Sequence, residues 1–159
     1  MDRSGAERIR VGVADMAVTA DGHDLLTSGL GSCVAVAVHD GNGIGGLLHA
    51  MLPEAPDDVV SKAKYVDSGI EAMKADLADL GADTDTLQAK MAGGSSMLDL
   101  GNDEPVGDKN VAATKETLAD ASIKLVDDDT GGSSGRSVTF HPPSGVMRIE
   151  RVNAETKEL

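Results

Sequence analysis

The sequence predicts a layered α/β domain, an α/β sandwich of one mixed β-sheet or two with two main helices covering a face. Three observations predict it: strand-like segments outnumber helical ones, two helical segments interrupt them, and one long stretch repeats apolar residues at four-and-three spacing.

The first strand is expected over residues 9–13, where apolar and other residues alternate, with 16–19 as its continuation before the turn signal Asp21-Gly22. Leu25-Leu26-Thr27 then precedes a glycine-rich bend, Ser28-Gly29-Leu30-Gly31-Ser32, which delivers Cys33 to the start of an apolar strand over 33–38. His39-Asp40-Gly41-Asn42-Gly43 carries two turn dipeptides and joins that strand to 44–52 as a β-hairpin, ended by Pro53. From Asp57, read as an N-cap, Val59, Ala63, Val66, Ile70, Met73, Leu77 and Leu80 recur at helical spacing until Gly81 stops the pattern. Residues 86–91 read as a short strand and Gly93-Gly94-Ser95-Ser96 as a loop. A second helix is expected over 110–121, with Val111, Thr114, Leu118 and Ala121 on one side, followed by a strand over 122–126. A flexible loop over 131–135 leads to strands at 136–140 and 146–152 across the turn Pro142-Pro143-Ser144-Gly145. A single domain is expected over 9–152, with 1–8 flexible and 153–159 frayed. At 159 residues the chain is long enough to bury roughly 70% of its unfolded surface around one core.

Composition removes several function classes. The net charge is −13, with 19 Asp and 8 Glu against 8 Lys and no basic stripe, so phosphate backbones and anionic lipid are repelled. Such a surface suits a very salty cytoplasm, where screening acts within roughly 3 Å at 1 M salt. No segment approaches the roughly 18 continuous apolar residues of a membrane span, and no export signal opens the chain, so a cytoplasmic protein is expected. One cysteine excludes an internal disulfide and a thiolate metal cage, and neither metal nor organic cofactor is expected. His23, His39 and His141 lack metal-ligand spacing and read as solvated surface residues. The glycines at 131–135 are followed by no Lys-Ser/Thr, so a P-loop is missing. Tyr65 and Phe140 are the only aromatics, which leaves an aliphatic core and no base-stacking platform.

What remains is Cys33. A lone cysteine in an apolar run commonly packs as a small hydrophobe, and a lone strand histidine is commonly structural. Two features set this pair apart. The bend at 29–33 has little side-chain bulk, so its amides, those of Gly31 and Ser32 among them, can approach a carbonyl oxygen as an oxyanion hole does. A hairpin turn centred on Gly41 would set His49 directly opposite Cys33, with Cβ atoms about 4.5–5.5 Å apart. An imidazole at that distance can lower a thiol's pKa from about 8.5 into the physiological range. Ala35 and Ala37 on the same face leave room for a substrate.

Thr27-Ser28-Gly29-Leu30-Gly31-Ser32-Cys33-Val34, followed by Gly46-Leu47-Leu48-His49-Ala50-Met51-Leu52-Pro53, resembles the CheD family of chemoreceptor glutamine deamidases. The similarity continues through Lys64-Tyr65, Lys90 with Gly93-Gly94, Gly107 with Asn110, Asp129 with Gly131-Gly132, Gly135-Arg136 and Phe140. One departure is Leu98, where the family often carries an aromatic. The resemblance implies a three-layer α/β fold like that of bacterial deamidating toxins and hydrolysis of receptor glutamines to glutamates. It also implies Cys33 as nucleophile, His49 as base and Thr27 as the third member. The partners it implies are the cytoplasmic helices of a chemotaxis receptor (a methyl-accepting chemotaxis protein) and the phosphatase CheC. An adaptor that regulates CheC without catalysis is the alternative reading, and a general small-molecule thiol esterase is disfavoured by the lack of aromatics to line a pocket.

Overall fold

The structure, a computed structural model, describes residues 8–96, 105–152 and 154–159; Leu98 and all of the expected flexible N-terminus but Arg8 lie outside them. In chain order the strands are β1 (Arg8–Arg10), β2 (Asp15–Thr19), β3 (Asp24–Leu30), β4 (Val34–His39), β5 (Gly45–Ala50), β6 (Gln88–Gly93), β7 (Lys124–Thr130), β8 (Arg136–His141), β9 (Val146–Arg151) and β10 (Lys157–Glu158). The helices are α1 (Val66–Asp79) and α2 (Val106–Asp120). Among the described residues the strands form two five-stranded sheets, an outer one ordered β1-β3-β8-β9-β10 and a central one ordered β2-β5-β4-β6-β7. Both are mixed: β1 runs parallel to β3 and β6 parallel to β7, while the remaining pairs are antiparallel.

The continuous apolar run of β4 follows from its place in the middle layer. Val34, Val36 and Val38 point to one side, into a core shared with Leu48, Val66, Ile70, Met73, Leu77 and Leu118 beneath the helices. Ala35 and Ala37 point to the other side, into a core shared with Leu25, Leu47, Val138, Phe140, Met147 and Ile149 between the sheets. Alternate residues therefore fill two cores, and no position of the strand meets water.

Several expectations are corrected. Residues 16–19 do not continue β1, because Ala14 takes a left-handed turn (φ 59°) that carries the chain from the outer sheet into the central one. The hairpin has a three-residue loop centred on Asn42, not Gly41. Asp40 N–H donates to Ile44 O, Asp40 Oδ1 accepts from the amides of Asn42 and Ile44, and Gly41 and Gly43 supply positive φ. The register consequently pairs His49 with Ala35 rather than with Cys33.

Helix α1 begins at Val66, not near Asp57, since extended backbone at Tyr65 pairs with Leu52 and lets Val66 N–H donate to Leu52 O at 2.8 Å. Helix α2 begins earlier than expected, at Val106. Its buried line is Asn110, Thr114 and Leu118, because Gly107 lets its first turn close on the main chain of Gly94 and Ser95. Residues 157–159, expected to fray, are held instead. Lys157 and Glu158 pair with β9, Leu159 exchanges main-chain bonds with Met147, and Lys90 Nζ donates to Leu159 O at 2.8 Å. His39 is buried rather than solvated, with its ring 5.7 Å from that of Phe140 and Gly145 packed against it. His141 is half-exposed and bonds Asp24 at 2.7 Å.

Candidate active site

Two strands and the bend before β4 bring Thr27, His49 and Cys33 to one end of the interface between the sheets. Thr27 comes from β3 of the outer sheet, where the chain bulges just after it at Ser28 and Gly29 (φ 73°). His49 comes from β5 of the central sheet, on the face that also carries Leu47 and Ala35. Cys33 precedes β4 by one residue and packs, half-buried, against the same inter-sheet core. With Ala35 opposite His49, Cys33 is the diagonal neighbour, within reach of a long side chain rather than directly facing.

His49 is fully buried, and its Nδ1 lies 2.7 Å from Thr27 Oγ1. Its Nε2 is buried and has no hydrogen-bond partner among the described residues, so sulfur and imidazole are not bonded at rest. In the tautomer with the proton on Nδ1, the threonine oxygen accepts it and Nε2 keeps a free lone pair. Burial pushes the His49 imidazole below its ordinary value. Burial also pushes the Cys33 thiol up, with its own backbone N–H pulling the other way. Both shifts favour the neutral thiol and the neutral imidazole over a preformed ion pair.

The bend that carries Cys33 is held through its carbonyls. Gly31 O accepts from Ser95 N–H at 2.9 Å and from Ser95 Oγ at 2.7 Å. Ser32 O accepts from Asn110 Nδ2 at 2.8 Å, and Cys33 O accepts from Gly94 N–H at 2.8 Å. Gly93 (φ 107°) abuts Cys33 O so closely that a Cβ there would overlap it. Of the amides expected to bind an oxyanion, that of Gly31 already donates to Gly29 O at 3.1 Å. Those of Ser32 and Cys33 donate to no other residue's backbone among the described residues, the Cys33 N–H lying against its own sulfur.

Behind the bend, the buried guanidinium of Arg136 bonds Asp129 Oδ2 at 3.2 Å and the carbonyls of Gly131 and Gly93 at 2.9 and 3.3 Å. This pins the loop 131–135 to the end of β6. Asn110, Ser95 and Arg136 were not singled out by spacing. The readable signal was Asn110 itself, an amide at a core position of an amphipathic helix, four residues before Thr114 and eight before Leu118.

A groove of about 620 Å³ lies elsewhere, between the helices, lined by Asp67, Glu71, Lys74, Thr84, Thr117 and Asp120, with no nucleophilic cysteine in it. Among the described residues no three His, Cys, Asp or Glu side chains converge as metal ligands, and no helix is long and apolar enough to cross a membrane.

The family described as CheD chemotactic sensory transduction matches residues 51–151. Over 99% of its length the chain is 41% identical to the probable chemoreceptor glutamine deamidase CheD of Haloarcula marismortui, covering 93% of that protein. Natronomonas pharaonis has a relative of the same description at 38% identity, with 97% of this chain and 94% of that protein aligned. The chemoreceptor glutamine deamidase CheD of Halalkalibacterium halodurans is 35% identical over 95% of this chain and 98% of its own. Among solved structures, the Neisseria meningitidis protein NMB0706 shares the fold at a TM-score of 0.53 and 11% identity; the match covers 82% of this chain and 66% of that one.

Proposed function

The chain belongs to the CheD family, and on that premise we propose that it hydrolyses selected glutamine side chains of chemotaxis receptors to glutamate through a cysteine thioester. The observation that carries the reading is the Thr27–His49 bond, which orients a buried imidazole with a free Nε2 on the face shared with Cys33.

His49 Nε2 takes the thiol proton as Cys33 Sγ attacks the carboxamide carbon. The oxygen, now anionic, is met by the amides of Ser32 and Cys33. As the tetrahedral centre collapses, the C–N bond breaks and the proton on His49 passes to the nitrogen, which leaves as ammonia. Water then attacks the thioester with His49 as base, the C–S bond breaks, and the proton returns to sulfur as glutamate departs. The sum is glutamine plus water to glutamate plus ammonia. Each step moves a single proton through one imidazole, and neutral partners at rest suit this, since the base must begin unprotonated.

The substrate is a helix surface of the receptor's cytoplasmic bundle. Exposed Leu52, three residues beyond His49, and exposed Val106, one turn before Asn110, offer apolar contacts near the site. CheC is a second partner, a role that rests on family membership. The acidic surface, 27 acidic against 14 basic side chains, suits a concentrated-salt cytosol.

Incubating the protein with its receptor and reading tryptic peptides by mass spectrometry tests the reading. Specific glutamines gain the mass change of deamidation with the wild type and not with Cys33→Ala. Equal conversion by that variant would sink the cysteine mechanism.

A further inference from the structure

A peptide group is planar and trans, so its C=O and the N–H that follows point in opposite directions. Whatever holds the carbonyl therefore aims the amide. The two amides beside the thiol that donate to no other backbone group among the described residues belong to peptide groups whose carbonyls are held. The carbonyl of the Ser32–Cys33 peptide is Ser32 O, which Asn110 Nδ2 holds at 2.8 Å. The carbonyl of the Gly31–Ser32 peptide is Gly31 O, which Ser95 holds with both its main-chain N–H and its hydroxyl.

Asn110 is fully buried, and its same nitrogen also donates to Met51 O at 2.9 Å. One amide group thus ties the residue before the nucleophile to the residue two beyond the base. Two carbonyls converge on that nitrogen, which fixes which end of the side chain faces them. The Oδ1 end is buried without a partner among the described residues, a desolvation cost accepted where the Nδ2 end is needed.

We propose that Asn110 and Ser95 are positioning residues for the oxyanion, gripping the carbonyls of Ser32 and Gly31 so that the Cys33 and Ser32 amides point at the oxygen of the attacked carbonyl. The inference rests on Cys33 being the nucleophile proposed above. The two grips differ in strength. Asn110 is the only described donor to Ser32 O, whereas the loss of the Ser95 hydroxyl leaves its main-chain N–H on Gly31 O.

Two reactions of the same sulfur test this. With 4-nitrophenyl acetate, Cys33 Sγ adds to the ester carbonyl through an oxyanion; the S–C bond forms, the C–O bond breaks, 4-nitrophenolate leaves and an S-acetyl enzyme remains. With iodoacetamide, Sγ displaces iodide at a saturated carbon and no oxyanion forms. In Asn110→Ala, acetylation is expected to slow about 10- to 100-fold, less than the roughly 100- to 1,000-fold of a deleted oxyanion donor because the amide is misaimed rather than removed, while alkylation stays within about threefold of wild type. Ser95→Ala, which keeps one of its two bonds, is expected to slow acetylation about 2- to 10-fold with the same split. With receptor as substrate, kcat falls and KM does not.

Alkylation slowed as much as acetylation in both variants would mean a displaced bend and would overturn the proposal. So would acetylation unchanged in both. If Asn110→Ala does not fold, Ser95→Ala alone decides by the same ratio. A wild type that acetylates but leaves receptor glutamines untouched would count against the deamidase reading, while the ratio of the two rates would still decide this one.

Discussion

Thr27 supplies one oxygen to His49, and that oxygen is the only acceptor the imidazole has among the described residues. Thr27→Val keeps the shape and removes the acceptor, leaving Nδ1–H buried and unsatisfied, at about 1–3 kcal/mol of stability by urea titration. It also frees the ring to adopt the other tautomer, so deamidation kcat is expected to fall about tenfold or more with KM unchanged. Thr27→Ser, which restores an oxygen, is expected to recover most of that loss; no recovery would remove the orienting role. At this scale the sequence was partly legible. A bend of small residues before a lone cysteine and a histidine on the next strand were visible in the chain. Thr27 entered only through the family resemblance, since its bond spans 22 positions. Asn110 stands out as an amide on a core helix face, but its partner Ser32 lies 78 positions away, too far for a local pattern to name.

At the scale of elements, hairpins and helices were readable because their signals are local: turn dipeptides between apolar runs, and four-and-three spacing. Their registers and ends were not, because those depend on particular side chains and on distant backbone. Asp40 Oδ1 caps the hairpin loop from within and moves its centre by one residue, which changes who faces His49. Tyr65 is extended because Leu52 pairs with it, so the N-cap of α1 is Tyr65, eight residues later than the N-cap-like Asp57 promised. The end of β6 shows how tightly one element can set another. Gly93 combines a positive φ with contact against Cys33 O, so Gly93→Ala cannot relax without moving the cysteine's own carbonyl. A loss of about 2–3 kcal/mol is expected in chemical denaturation, together with loss of receptor deamidation. A variant of wild-type stability and activity would show the contact to be soft.

For the molecule as a whole, two buried histidines link stability to pH. Burial pushes both His49 and His39 below the ordinary imidazole value, and beside His39 the Lys90 ammonium pushes the same way while Asp40 opposes. A lowered folded pKa means the unfolded chain binds more protons, so stability rises with pH there. The contribution is complete above about pH 6.5 and is lost as pH falls through the folded values. The melting temperature is expected to drop between pH 7.5 and 5.5, and less steeply in His39→Gln; equal slopes would deny His39 a part. The layered fold itself was legible in the strand and helix count, but not the division of strands between two sheets, since a strand's pattern tells that it is buried and not against what. That division bears on how the enzyme would fail. The Thr27–His49 bond is a stitch between the two sheets, one residue from each. Slippage of one sheet over the other, too slight to melt either, would unthread it. Under mild heat or denaturant, catalysis should then fade while far-UV ellipticity is still intact, making turnover the finer gauge of how the two layers are seated.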